Sequence, residues 1–372
     1  MRRTILTAVL ASVLALTGCG KAALPYAREM GDMALLRTMG VDAEGDRVWV
    51  TVSTGRRAAG LQGEGQPALV LSALGDSLSG ACRSMQGLSD SYVFYGYVDQ
   101  LLLGEGAALA GVEPVLDYFS RDVELGLGAQ MWLVRGETAR AALESGGEAG
   151  VEGRLSTLQT DSEMGAAGVA RTAGEVFSDL LERGCAYLPA LTASGREEDG
   201  GTALLEAGYG VLRDGALAGW LDGEAAKGLE LLAGHAADDI LTVELPSGQA
   251  VARITGASVR CEPVFQGEEL TGLRLSCRAF AELAEFRVPG EAGELDQLRA
   301  ELEERERLRL QEALSRLRGW GTDCTGLGDQ VARADPGRWE KLRGEWDQRF
   351  SSVPLEISVQ VSVSRTYGEL KE

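Results

Sequence analysis

Apolar residues in this chain recur at two spacings, and the spacing switches back and forth along its length. Val48, Val50 and Val52 alternate with other residues, and Leu355, Ile357, Val359, Val361 and Val363 do the same near the end. A strand turns every second side chain to one face, so each run predicts a strand with one buried side. Gln130–Val134 reads as a further strand, and the apolar, aromatic run Tyr92–Leu103 as a buried one. Ala73–Met85, Val112–Phe119, Thr138–Leu143 and Glu224–Leu232 instead read as helices. Glu294–Arg318 is long and charged, with Leu295, Leu298, Leu302, Leu310, Leu314 and Leu317 on one stripe. Its heptads do not persist, so it is expected to pack on a sheet of its own chain rather than in a coiled coil. Arg338–Phe350 is a second helix with Trp339, Leu342 and Trp346 on one side. Strands interleaved with helices predict a mixed α/β or α+β fold.

Turn signals divide the second half into hairpins. Gly208–Arg213 and Leu217–Leu221 flank Asp214-Gly215, and Leu241–Leu245 and Ala250–Ile254 flank Pro246-Ser247-Gly248. In a third, Val259, Cys261, Pro263 and Phe265 alternate on one strand, and Leu273, Leu275, Cys277 and Ala279 on the next. If the loop Gln266–Gly272 folds symmetrically, Cys261 faces Cys277, as a disulfide or as two buried thiols. A slip of two residues spoils that pairing. With 372 residues and roughly 100–200 per domain, two or three domains are expected, and the segment order is read as about three small ones, each a mostly antiparallel sheet with packed helices. Gly55–Pro67 reads as a Gly-rich connection and Ala193–Thr202 as a domain linker. The expected division is 19–195 as an N-terminal α/β domain, 196–288 as a hairpin-rich middle domain and 289–372 as a helix-plus-strand domain.

Residues 1–18 read as an export signal. Arg2 and Arg3 precede an apolar run, Ile5–Leu16, of about a dozen residues, whereas crossing a bilayer takes roughly 20. Leu16-Thr17-Gly18-Cys19 resembles the bacterial lipobox, which implies cleavage before Cys19 and a diacylglycerol on its thiol. Two or more acyl chains anchor stably, where one binds only reversibly. No later stretch is long and apolar enough to span a membrane.

The formal net charge is −20, and losing Arg2 and Arg3 makes the mature chain more acidic still. That excludes a nucleic-acid footprint and direct attraction to anionic headgroups. Of six cysteines, Cys19 is taken by lipid. Cys82, Cys185, Cys261, Cys277 and Cys324 form no CxxC pair, and His235 is the only histidine. Metal ligands come in short-spaced pairs, so neither a metal nor a cofactor is expected. No GxGxxG, Walker, HExxH or GxSxG motif is present. His235 reads as a surface or structural residue, Asp238-Asp239 and Glu303-Glu304 as solvated charge. Trp220, Trp320, Trp339 and Trp346 read as core or interface anchors. No catalytic residue is assigned, and the body reads as a binding or scaffolding part. Two other classes are a substrate-binding lipoprotein of a transporter, which the hairpins of the second half disfavour, and an envelope hydrolase, which lacks its catalytic set.

The order of segments carries a resemblance. After the lipobox come Gly40-Val41-Asp42 and a Val-rich strand, then Tyr97–Glu105 and Val112–Asp122. Gly208–Leu212 and Leu217–Leu221 follow, then Asp323, Gly326-Leu327-Gly328, Pro336, Trp339, Trp346 and the last strand. Together these resemble the C subunit of spore germinant receptors, the spore germination lipoprotein family of Ger(x)C type. The resemblance implies three mixed α/β domains and no catalysis. It implies a lipid anchor on Cys19 at the outer surface of the spore inner membrane. As partners it implies two multi-pass membrane subunits of a nutrient receptor. The chain departs from the family at Gly96-Tyr97, where a histidine is common, and at Cys324-Thr325, where apolar or aromatic residues are commoner.

Overall fold

The computed structural model describes residues 33–56, 66–195, 202–235, 239–246, 248–286 and 293–364. The fold is mixed α+β with three sheets, as the switching periodicity predicts. The largest sheet has eight strands. Its centre is parallel: β2 (Thr38–Glu44), β6 (Gln100–Gly104), β7 (Gln130–Val134) and β8 (Cys185–Gly195). Antiparallel strands extend it on both sides. β3 (Arg47–Ser53) and β4 (Val70–Gly75) add beside β2, and β9 (Thr202–Arg213) and β10 (Ala216–Leu221) beside β8. A small parallel pair, β1 (Met33–Leu35) with β5 (Tyr92–Phe94), stands apart.

Helices cover both faces of the large sheet. On one lie α1 (Leu78–Met85), α2 (Glu105–Ala110), α3 (Glu113–Arg121) and α6 (Ala173–Arg183); on the other, α4 (Ala139–Glu144) and α5 (Glu152–Glu163). Two covered faces explain why β6 is an unbroken Leu-Leu-Leu run, with Leu101 and Leu103 packed to one side and Leu102 to the other. The α6 start is fixed by a capping box, in which Thr172 and Glu175 each satisfy the other's backbone N–H.

β10 leads into α7 (Gly223–Leu232), and the second sheet follows: β11 (Asp239–Leu245), β12 (Gly248–Gln266), β13 (Glu269–Phe286) and β14 (Leu355–Ser364), side by side in that order. β14 runs parallel to β13 and the other pairs are antiparallel. The long helix α8 (Glu294–Trp320) packs on this sheet through Leu298 and Leu302 and on α7 through Leu310, Leu314 and Leu317. The expected stripe therefore serves two contacts in its own chain. α9 (Leu327–Ala334), α10 (Pro336–Leu342) and α11 (Trp346–Ser352) close one end of the core.

Several expected elements differ in detail. Val70–Gly75 is strand, and the helix expected from Ala73 begins only after Ser77, whose hydroxyl accepts from Gly80 N. Tyr92–Leu103 divides into β5 and β6 at a turn closed by Val98 N to Tyr95 O, 3.0 Å. Arg338–Phe350 is two helices joined by a 3-10 turn, Arg343–Glu345. Both ends of the expected linker 193–202 are strand: Ala193 pairs with Leu204 and Gly195 with Thr202, so β9 and β10 complete the large sheet.

Candidate functional site

The two sheets meet along α7, and the seam is charged. α7 and α8 approach so closely that a Cβ on Gly228 would strike the Arg309 carbonyl. Arg309 lies under this contact, 4% exposed. Its guanidinium reaches Glu224 Oε2 of α7 at 2.6 Å, Glu306 Oε1 one turn earlier at 2.9 Å, and the Asp239 carboxylate at the start of β11. One buried cation thus ties a helix of the first sheet to a strand and a helix of the second. Glu306 is wholly buried, and its second oxygen has no hydrogen-bond partner. Burial pushes its carboxyl up to about 7, against the pull of Arg309 and with the push of Asp239.

The charged seam continues along α7. Lys227 Nζ lies 2.9 Å from Glu230 Oε2, and the buried Tyr209 hydroxyl donates to Glu230 Oε1 at 2.9 Å while accepting from Val169 N at 2.7 Å. Asp222 takes Arg135 of the first sheet at 3.0 Å and Arg316 of α8 at 2.9 Å, and both hold its carboxyl below the usual range. A cleft of about 450 Å³ opens here, lined by Arg135, Gly168, Tyr209, Asp222, Lys227 and Glu230. Every one of these charges already has a partner in the chain. The arrangement orients two bodies and holds no nucleophile beside a base. Among the described residues no cluster of histidine, cysteine and carboxylates could hold a metal.

A second polar knot anchors the end of the core. Asp323 is buried and accepts from Leu327 N and Trp346 Nε1, each at 2.9 Å, and from Gly328 N. Burial raises its carboxyl to about 6, while these donors pull it down. Trp346 packs edge-on to Trp339 and against Phe350, and a side chain on Gly328 would strike both indoles.

Models of two families cover most of the chain. That of the spore germination protein N-terminal domain matches residues 26–193, and that of "Spore germination B3/GerAC like, C-terminal" matches residues 207–367. The chain belongs to this spore germination family. A solved relative in shape is the crystal structure of the GerBC protein, with a TM-score of 0.54 over 87% of this chain and 96% of that one. At 16% identity that likeness carries the fold. No curated protein matches the chain.

The family's expected anchor, Cys19, and Leu16, Thr17 and Gly18 before it lie outside the described residues, as does the whole expected signal 1–18. The other two predicted site residues sit two residues out of register. Cys261 pairs with Leu275, and Cys277 with Val259. The reason is the loop: pairing runs on to Gln266 and Glu269 past a bulge at Val264/Phe265, where a symmetric loop was expected to begin at Gln266. Both cysteines do share the predicted apolar face, as buried free thiols that burial pushes up to about 12. His235 is structural, with Nε2 2.9 Å from the Ala167 carbonyl. Asp238 lies outside the described residues. Asp239 was expected to be solvated but binds Arg309, and Glu303 accepts from Val361 N at 3.0 Å, whereas Glu304 pairs with Arg307 at the surface. Trp346 is core, and Trp320 and Trp339 pack against the same cluster. Trp220 packs against the large-sheet core, under Arg135.

Sequence reasoning missed Glu306 and Arg309. A signal was present: counted in fours from Leu298 and Leu302, the apolar stripe arrives at Glu306, with Arg309 beside Leu310. A charged pair inside an apolar stripe is expensive unless it is paired across an interface.

Proposed function

We propose that this chain is a lipid-anchored, non-catalytic subunit of a spore nutrient-germinant receptor. The match of spore germination family models to both halves carries the reading. Cys19 holds the lipid, residues 1–18 are removed, and the body rests on the outer surface of the spore inner membrane. Two multi-pass membrane subunits are its partners, and its work is assembly and signal relay. Leu16-Thr17-Gly18-Cys19 supports the anchor. Among the described residues no helix is long and apolar enough to cross a membrane, which is consistent with attachment by lipid. The Arg309 seam supports relay, because it makes the placement of one sheet on the other depend on a few directional contacts.

The test is germination of spores that lack the gene, followed by loss of phase brightness across a panel of nutrients. Selective loss of response to one nutrient class is expected, restored by the wild-type gene but not by Cys19→Ala. Membrane fractionation of the same spores should show the Cys19→Ala chain depleted from the inner membrane. A Cys19→Ala chain that stays in the membrane and restores germination in full would refute the anchor.

A further inference from the structure

The outermost strand of the four-stranded sheet leaves its edge open. Among the described residues β14 pairs only with β13. The Pro354 carbonyl accepts from Leu273 N at 2.9 Å, while Val361 N points away from β13, to Glu303 Oε1. Even-numbered residues of β14 therefore turn their backbone toward β13, and odd-numbered residues turn theirs outward. At Leu355, Ile357 and Val359 these outward groups have no partner among the described residues. The side chains of the same three residues are only partly buried, packed against a core that stops at this edge.

Proteins blunt exposed edges with short strands, bulges, prolines, lysines or a covering element. The other edges here follow that rule. β10 is bulged between Leu217 and Gly219 and has Trp320 packed onto Gly219. β4 has six residues and β11 seven, with Pro246 directly after it. β14 has ten residues, with no bulge, no proline and no lysine. Among the described residues its only block is Glu303 at Val361, which leaves the first half free.

We propose that Leu355–Val359 is a docking edge, where an extended segment of a partner protein adds as a fifth strand. Main-chain hydrogen bonds recognise it, and alternate apolar side chains cover Leu355, Ile357 and Val359. The segment is basic at its flanks, because Glu303 stands on this edge with no cation paired to it among the described residues, while Glu356 is already held by Arg274 at 3.2 Å, and the whole chain carries −20. A second copy of this chain fits worse. Two β14 strands paired about a two-fold axis at Ile357 would bring two strongly acidic bodies together. The edge carries this inference by itself, independently of the receptor reading.

The probe is a fluorescent peptide of alternating valine and threonine with lysine at each end, titrated into the full chain in detergent. Saturable binding is expected, with amide-exchange protection confined to residues 355–359. N-methylation of alternate amides on the pairing side should weaken it at least roughly tenfold, since several main-chain hydrogen bonds are lost together. Ile357→Pro removes an outward N–H without touching the β13 ladder and should weaken binding similarly. Glu303→Gln, which keeps an acceptor for Val361 N–H and removes the charge, should weaken it. No binding, equal binding of the N-methylated peptide, or protection elsewhere overturns the proposal. So does a sedimenting dimer of the free chain that Ile357→Pro abolishes, which assigns the edge to a second copy.

Discussion

In the large sheet, Leu101, Leu102 and Leu103 are buried on both sides by apolar helix faces. At the junction of the two sheets, a wholly buried glutamate and a nearly buried arginine take the place of such leucines on α8. Apolar contact is non-directional and tolerates small shifts. A guanidinium held by three carboxylates does not: its geometry fixes how α7, α8 and β11 sit together. The first region gives stability, and the second gives one relative placement at some cost in stability.

Truncation separates the two regions. Arg309→Ala leaves the buried Glu306 and the partly buried Asp239 uncompensated and is expected to cost about 3–5 kcal/mol in denaturant unfolding. Leu102→Ala should cost a comparable amount, about 2–5 kcal/mol, through the cavity it opens. The difference lies in rescue. Adding Glu306→Leu to Arg309→Ala should return much of the loss, because an apolar pair replaces a broken ionic one. A charge change at the junction should add to Leu102→Ala only what it adds to the wild-type chain, with no specific rescue. If the Glu306→Leu double variant is no more stable than Arg309→Ala alone, the seam is not the cause of the loss.

The comparison is sharpened by pH. The Glu306 carboxyl moves from an ordinary 4.5 to about 7 in the folded chain. The folded state then holds this proton more tightly than the unfolded state. Its effect on stability is absent below about pH 4.5, grows as pH rises to about 7, and is destabilising and constant beyond. Glu306→Gln removes this pH dependence. At pH 8 it is expected to stabilise the chain by on the order of 3 kcal/mol, and at pH 4 to change it little. Thermal unfolding from pH 4 to 8 checks this. Parallel pH curves for wild type and variant would show that Glu306 is charged or relieved by some other contact.

Much of the fold was legible because strands and helices leave their periods in the sequence. β7 has its predicted limits, Gln130–Val134, and the Asp214-Gly215 hairpin forms with Asp214 at φ 49°. What failed was pairing over distance. The Cys261 register turned on a bulge that no local pattern marks, and the pairing of Gly195 with Thr202 across the 193–202 segment left no mark in its polar composition. The junction stayed hidden for another reason. A glutamate and arginine spaced three apart on a charged helix look like any solvated pair until the helix that covers them is known. Asp239 was misread likewise, since nothing near it in sequence names Arg309 as its partner.

The smallest expected effect comes from the same helix. Arg307 and Glu304 are also three residues apart on α8, with both Arg307–Glu304 contacts near 2.7 Å. Drawn alone, this pair looks stronger than Arg309–Glu306. Yet both groups face solvent, where water solvates each ion nearly as well as its partner does and salt screens what remains. Arg307→Ala should therefore leave the unfolding midpoint unchanged within error, at low salt and high salt alike. A clear loss at low salt that high salt erases would mean that the outer face of α8 contributes to the junction, and that the seam extends beyond its buried side.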